Sequence, residues 1–183
     1  MEDRAGETGL FEQIPERGTA DNLLRTTQQH HVVLSSMADR KANIIMTVSS
    51  IVLTIALGRM DDPELRVPVL TLTLFTLIAL LLAILAVLPK YRPPKLQHGV
   101  LPSDFNLMFF GHFTQLSRER YLIEMSRALA RDGSPYAMWS RDIYSLGCYL
   151  ANHKYRYLRY SYLSFLAGFV LACLERGWQL VSP

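Results

Sequence analysis

The chain has 183 residues, half of them hydrophobic, with 19 Lys and Arg against 16 Asp and Glu and a net charge of +3. So apolar a composition argues against an ordinary soluble domain. The apolar residues are gathered into three blocks, Ala42–Leu57, Val67–Leu88 and Leu158–Leu174.

In chain order, residues 1–18 are polar, acid-rich and interrupted by Gly6, Gly9, Pro15 and Gly18, the composition of a flexible tail. Residues 19–41 predict a cytoplasmic helix: Thr19 or Asp21 can cap it, and Leu23, His30, Leu34 and Met37 recur at helical spacing to give an apolar face. No glycine or proline separates it from the first apolar block. The helix is therefore expected to run on into a first span, residues 42–58, with Arg40 and Lys41 at headgroup level, where long cationic side chains reach water. Seven acidic residues precede this block, unlike the basic start of a cleavable signal, so the segment is expected to stay in the mature protein.

The second span, residues 67–88, carries no ionisable side chain. At about 1.5 Å per residue it is long enough to cross a hydrocarbon core of about 30 Å. A second cytoplasmic segment, residues 89–157, opens with the proline-rich connector PKYRPPKLQHGVLPSD. Ser103 is the expected cap of a helix running to about Arg131, and DGSP ends it. Ser134 and Pro135 then start another helix that continues without a breaker through Tyr162 into a third span, residues 158–174, followed by a short external tail, residues 175–183.

The expected fold is an all-α membrane protein: three transmembrane helices with a cytoplasmic helical bundle formed by inward extensions of spans 1 and 3 and one intervening helix. The link GRMDDPELR holds only Arg59 and Arg66, offset by Asp61, Asp62 and Glu64. The segment between the second and third spans begins with Lys90, Arg92 and Lys95 and ends with Lys154, Arg156 and Arg159. Because basic residues near span ends stay inside, the N-terminus is expected in the cytoplasm and the C-terminus outside. Cys148 and Cys173 fall on one expected helix, too far apart for a disulfide.

Catalytic and metal patterns do not emerge. The chain has no GxSxG, P-loop, HExxH or CxxC. His30 and His31 are adjacent rather than at the i, i+4 spacing of a metal pair, and His112 and His153 are lone. No catalytic residue, metal ligand or cofactor is expected, and the chain is not read as an enzyme. The run HKYRYLRYSY interleaves aromatics and cations, but its place before a span favours an aromatic belt with snorkelling Lys154, Arg156 and Arg159 over a nucleic-acid surface.

Two other patterns admit two readings each. At 100° per residue, Asp39, Asn43, Thr47, Ser50, Thr54 and Gly58 fall within a sector of about 100°, a polar or small stripe along the first span. It serves either as a helix-packing surface or as the lining of a hydrated path in an assembly. Ser164, Gly168 and Ala172 make a second small-residue seam in the third span, and self-association into a homo-oligomer is expected. On the intervening helix, Arg120, Arg127 and Arg131 share a face within about 40°, with Glu124 one turn from the first two. They form either intrahelical ion pairs or an anion pocket, with Phe113 or Tyr121 beside it for stacking.

The block from Leu23 to Leu57 resembles the transmembrane effectors of Pycsar anti-phage defence. The resemblance rests on Gln28-Gln29-His30-His31, on Asp39, Lys41 and Ala42 before the first span, and on the order of two close spans, a helical segment and a terminal span. It implies a bacterial inner-membrane effector activated by a cyclic pyrimidine nucleotide, cUMP or cCMP, from a functionally linked cyclase, and acting on the bilayer to cause abortive infection. Asp39 and Lys41 carry over as motif positions; with Arg120, Arg127 and Arg131 they are the candidate ligand-binding residues. A β-roll cyclic-nucleotide domain is absent, so sensing would fall to the cytoplasmic helices. The competing reading is a constitutive scaffold or small subunit whose cytoplasmic helices bind a protein partner.

Overall fold

The computed structural model describes residues 18–89, 101–102, 105–130 and 134–181, and these are helical with no strand. The expected N-terminal tail, Lys90, Arg92, Lys95, Ser103, Arg131 and the end of the C-terminal tail lie outside the described residues. The helices are α1 (Gly18–Leu57), α2 (Arg66–Val87), the single turn α3 (Phe110–Phe113), α4 (Arg118–Leu129), α5 (Ser134–Tyr149) and α6 (Tyr155–Val181). Three stretches are long and apolar enough to span a membrane: Gly18–Leu57, Arg66–Val87 and Pro135–Val181.

Local chemistry explains the helix ends. α1 meets no glycine or proline after its first residue, Gly18, and places Asp21 in its first turn, where a carboxylate favours the positive end of the helix dipole. It stops at Leu57, before Gly58, where the bonding tightens so that the Arg59 amide donates to Ala56 O at 3.0 Å. α2 tolerates Pro68 because it falls in the first turn, where an amide would lack an intrahelical partner. It ends at Leu88, which is extended at ψ 122° as the following Pro89 demands.

The chain divides into two compact units, one from Met1–Val32 with Pro89–Cys148, the other from Val33–Leu88 with Tyr149–Pro183. In the second unit α2 packs against α6. The buried face of α2 is Thr76, Ala79, Ala83 and Ala86, small residues that let a helix approach closely. Two α6 hydroxyls complete the contact: Ser161 donates to Ala79 O at 2.6 Å and Ser164 to Phe75 O at 2.9 Å. Gly168 lies against Phe75, in a space where any Cβ would collide with that side chain. Ala38 and Ala42 of α1 join Ala86 and Leu158 in one buried cluster. The outer surfaces are apolar, with Ile44, Ile51, Ile55, Leu74, Leu81, Leu166 and Phe169 exposed, as suits helices solvated by lipid.

Three local expectations are corrected. The helix expected from Ser103 to about Arg131 begins at Arg118 instead. Asn106 turns the chain by accepting from the Met108 amide on its side chain at 2.9 Å, and Ser117 is the cap, accepting from the Arg120 amide at 3.2 Å. The apolar face expected of the first helix is only in part its packed face: Leu34 is half-buried but Leu23, His30 and Met37 are exposed, while Gln28, His31, Ser35, Ala38 and Asp39 turn inward. The helix into the third span is not uniform α. Leu150–Lys154 is a π turn, in which the Tyr155 amide reaches Leu150 O, and no glycine or proline signals it.

Candidate functional site

In the first unit, the inward side chains of α1 meet α5 through a polar network. The Gln28 amide nitrogen donates to Asp142 Oδ2 at 2.9 Å, and its oxygen accepts from the Trp139 indole at 3.0 Å, which fixes the orientation of the amide. Asn106, itself buried, donates to the other Asp142 oxygen at 2.8 Å. Its backbone amide donates to His112 Nδ1 at 2.9 Å, so that nitrogen is unprotonated and acts as an acceptor. Tyr136 donates to Asp21 at 2.8 Å. The His31 ring lies against Gly147, with its Cε1 atom 3.3 Å from where a Cβ would sit, closer than ordinary contact.

In the second unit, the π turn presents two consecutive residues inward, His153 and Lys154, both buried. The Lys154 ammonium donates to both Asp39 oxygens, at 2.7 and 2.8 Å, and to Ser35 Oγ at 2.8 Å. Adjacent side chains of an α-helix point about 100° apart; the π turn, with more residues per turn, brings the two somewhat closer to one face. Lys154 thus spends its three donors on α1 rather than snorkelling with Arg156 and Arg159, which remain exposed. Nearby, the Tyr149 hydroxyl is held above its ordinary pKa, first by burial and then by the Asp39 carboxylate.

The motif residues divide by direction. Asp39 faces Lys154, whereas Lys41, two positions on, lines an open cleft of about 350 Å³ with Tyr155, Leu158, Arg159 and Tyr162. Arg120 and Arg127 lie in the first unit, on α4. The Arg120 Nε atom is 2.8 Å and the Arg127 Nη1 atom 3.4 Å from Glu124 Oε1, so both arginines share one carboxylate. The Phe113 and Tyr121 rings pack against one another with centroids 5.1 Å apart and planes tilted by 41°.

The stripe of the first span behaves differently from the seam of the third. Asn43, Thr47, Ser50, Thr54 and Gly58 are all exposed. Their hydroxyls bond back to their own helix: Thr47 to Asn43 O at 2.9 Å, Ser50 to Met46 O at 2.8 Å, Thr54 to Ser50 O at 2.9 Å. The residues of α1 that do pack are Ala38, Ala42, Ile45, Ser49 and Ala56.

Sequence reasoning missed Lys154, Asp142, Trp139 and Asn106. One signal was available for Lys154: Asp39 sits between Ala38 and Ala42, small residues that admit a second helix, so its carboxylate needed a cation from elsewhere in the chain. Among the described residues no cluster of three His, Cys, Asp or Glu side chains is placed to hold a metal, and both cysteines are free thiols.

Searches of curated proteins and of solved structures return no match. The model of the Pycsar effector protein domain, PycTM, matches residues 22–175, from the start of α1 to near the end of α6. With most of the chain inside that match and three apolar helices to place in lipid, the chain belongs to the PycTM family and is a membrane effector of Pycsar anti-phage defence, linked to a cyclic-nucleotide system.

Proposed function

We propose that a cyclic pyrimidine nucleotide, cUMP or cCMP, activates this effector to breach the bacterial inner membrane, and that the breach kills the infected cell before phage matures. The observation that carries the reading is the stripe Asn43, Thr47, Ser50, Thr54 and Gly58, exposed on α1 beside the exposed apolar Ile44, Ile51 and Ile55. Hydroxyls already satisfied by their own backbone cost little while they face lipid. The same groups hydrate readily when several copies bring their stripes together around a water-filled path. The lysine and arginine distribution supports a cytoplasmic N-terminus and an external C-terminus for each copy.

Arg120 and Arg127 are our choice for phosphodiester capture, because guanidinium forks match phosphate oxygens. Both already share Glu124, so the ligand would replace a carboxylate rather than fill an empty site. Arg131 follows on the same face in sequence and completes the set. Asp39 we assign to a latch rather than to the ligand, since Lys154 occupies both of its oxygens. A ligand shifts the resting arrangement only as far as it binds another arrangement better. The latch sets how much differential affinity is needed.

Purified full-length protein in liposomes loaded with a self-quenched dye tests this directly. Release is expected on adding cUMP or cCMP and not with a linear nucleoside monophosphate. Equal leakage with and without the cyclic nucleotide would reject ligand gating.

A further inference from the structure

We infer that the cleft between α1 and α6 lined by Lys41, Tyr155, Leu158, Arg159 and Tyr162 is a seat for the phosphodiester headgroup of an anionic phospholipid. Its volume, about 350 Å³, suits a glycerophosphate headgroup and leaves no room for a folded partner. The walls are stitched in place from one helix to the other. The Tyr155 hydroxyl donates to Leu34 O and the Tyr162 hydroxyl to Lys41 O, each at 3.1 Å, so the cleft exists before any ligand arrives. Those bonds also use the tyrosine donors, which leaves recognition to the Lys41 ammonium and the Arg159 guanidinium. Both side chains are exposed, and neither forms an ion pair among the described residues. Two cations without a carboxylate favour an anion and disfavour the amine of a zwitterionic lipid.

The surroundings select a lipid over a soluble phosphodiester. One and two turns beyond Lys41 on α1 come Ile44 and Val48, and the corresponding positions beyond Arg159 on α6 are Leu163 and Leu166, all four exposed. An acyl chain laid along them buries apolar surface, which a free nucleotide cannot exploit. The cleft lies where both helices pass from charged to apolar sequence, the level of phosphate groups in a bilayer. The inference assigns Lys41, a nucleotide candidate by resemblance, to lipid instead, and stands apart from the proposed gating, which uses Arg120 and Arg127.

Native mass spectrometry of the full-length protein in detergent, with phosphatidylglycerol, phosphatidylcholine or cUMP added in turn, provides the test. Phosphatidylglycerol is expected to stay bound in preference to phosphatidylcholine. In the double variant Lys41→Gln with Arg159→Gln its affinity is expected to fall about thirtyfold, the effect of two basic groups near an anionic surface. Arg40→Gln, an exposed cation beside but not lining the cleft, is expected to retain it, and Lys41→Arg is expected to bind as the parent does. Melting curves of each variant in detergent check that the fold is kept. An equal loss in Arg40→Gln reduces the effect to general surface charge and overturns the seat. So does unchanged binding in the double variant, or cUMP that binds through Lys41 and Arg159 and displaces phosphatidylglycerol.

Discussion

The seam on the third span and the stripe on the first are written in the same alphabet of Ser, Thr, Gly and Ala, yet they have opposite fates. Ser161, Ser164 and Gly168 find their partner inside the chain: two hydroxyls bond α2 carbonyls, and the glycine makes room for Phe75. Thr47, Ser50 and Thr54 find none and bond back to their own helix. Small-residue spacing therefore marks a surface that another backbone can approach. Whether it is closed within one copy depends on the facing helix, and for α6 that helix is α2 with its alanine face. What remains open on α1 is available to a second copy or to water.

The largest effect expected from breaking the closed side is at Gly168. Gly168→Leu drives a branched side chain into Phe75, and overpacking of this kind costs about 1–3 kcal/mol. A fall of several degrees in melting temperature in detergent is the expected result. Phe75→Ala on the same chain should recover part of it by vacating the space, and no recovery would show that the collision with Phe75 is not the cause.

Next in size is the latch. Asp39→Ala leaves the buried Lys154 ammonium with Ser35 alone, and stranding a buried charge costs about 3 kcal/mol. Part of the Asp39 carboxylate is solvated, 42% exposed against 10% for the Lys154 side chain, so the loss falls below that figure. Asp39→Asn keeps one acceptor and should lose less. Liposome leakage without ligand is expected to rise in Asp39→Ala, because removing the latch lowers the differential affinity a ligand must supply. A destabilised variant that stays tight would assign Asp39 to folding alone.

Smaller still is Ser161→Ala. It removes a single buried hydroxyl bond to Ala79 O, and interhelical hydrogen bonds in membranes average about 0.6 kcal/mol. The measurable consequence is a slight fall in melting temperature with no change in leakage.

The fold was legible where hydrophobicity and breakers decide it. The unbroken run from Thr19 to Leu57, the uncharged second span and the start at Ser134 follow from the absence or presence of Gly, Pro and charge. The lateral arrangement was not legible. Leu23 and Met37 look like the packed face of α1 by hydrophobicity, but Gln28, Ser35 and Asp39 take that place because Trp139, Asp142 and Lys154 satisfy them. A buried polar face is invisible until its partners are known, since the same residues in water need none. The π turn escaped for a related reason: its backbone shift has no breaker residue to announce it, and its product, a lysine turned inward, looks like one more cation of an interfacial belt. The site was therefore half visible, with Asp39 marked by its motif and Lys154 hidden in an aromatic run.

The smallest effect on stability is expected where the proposal for function is strongest. Thr47→Val, Ser50→Ala and Thr54→Val together replace three exposed hydroxyls that bond only their own helix, so each should move stability by no more than about 0.5 kcal/mol. If the stripe is a spare packing surface, these changes leave leakage as it was, because the apolar replacements are nearly the same size and still admit a neighbouring helix. If the stripe lines water, the same triple variant loses nucleotide-induced dye release while keeping its melting temperature, since a ring of valine and alanine side chains dewets a narrow path. Stability and leakage read on one sample thus separate the two uses of a small-residue face.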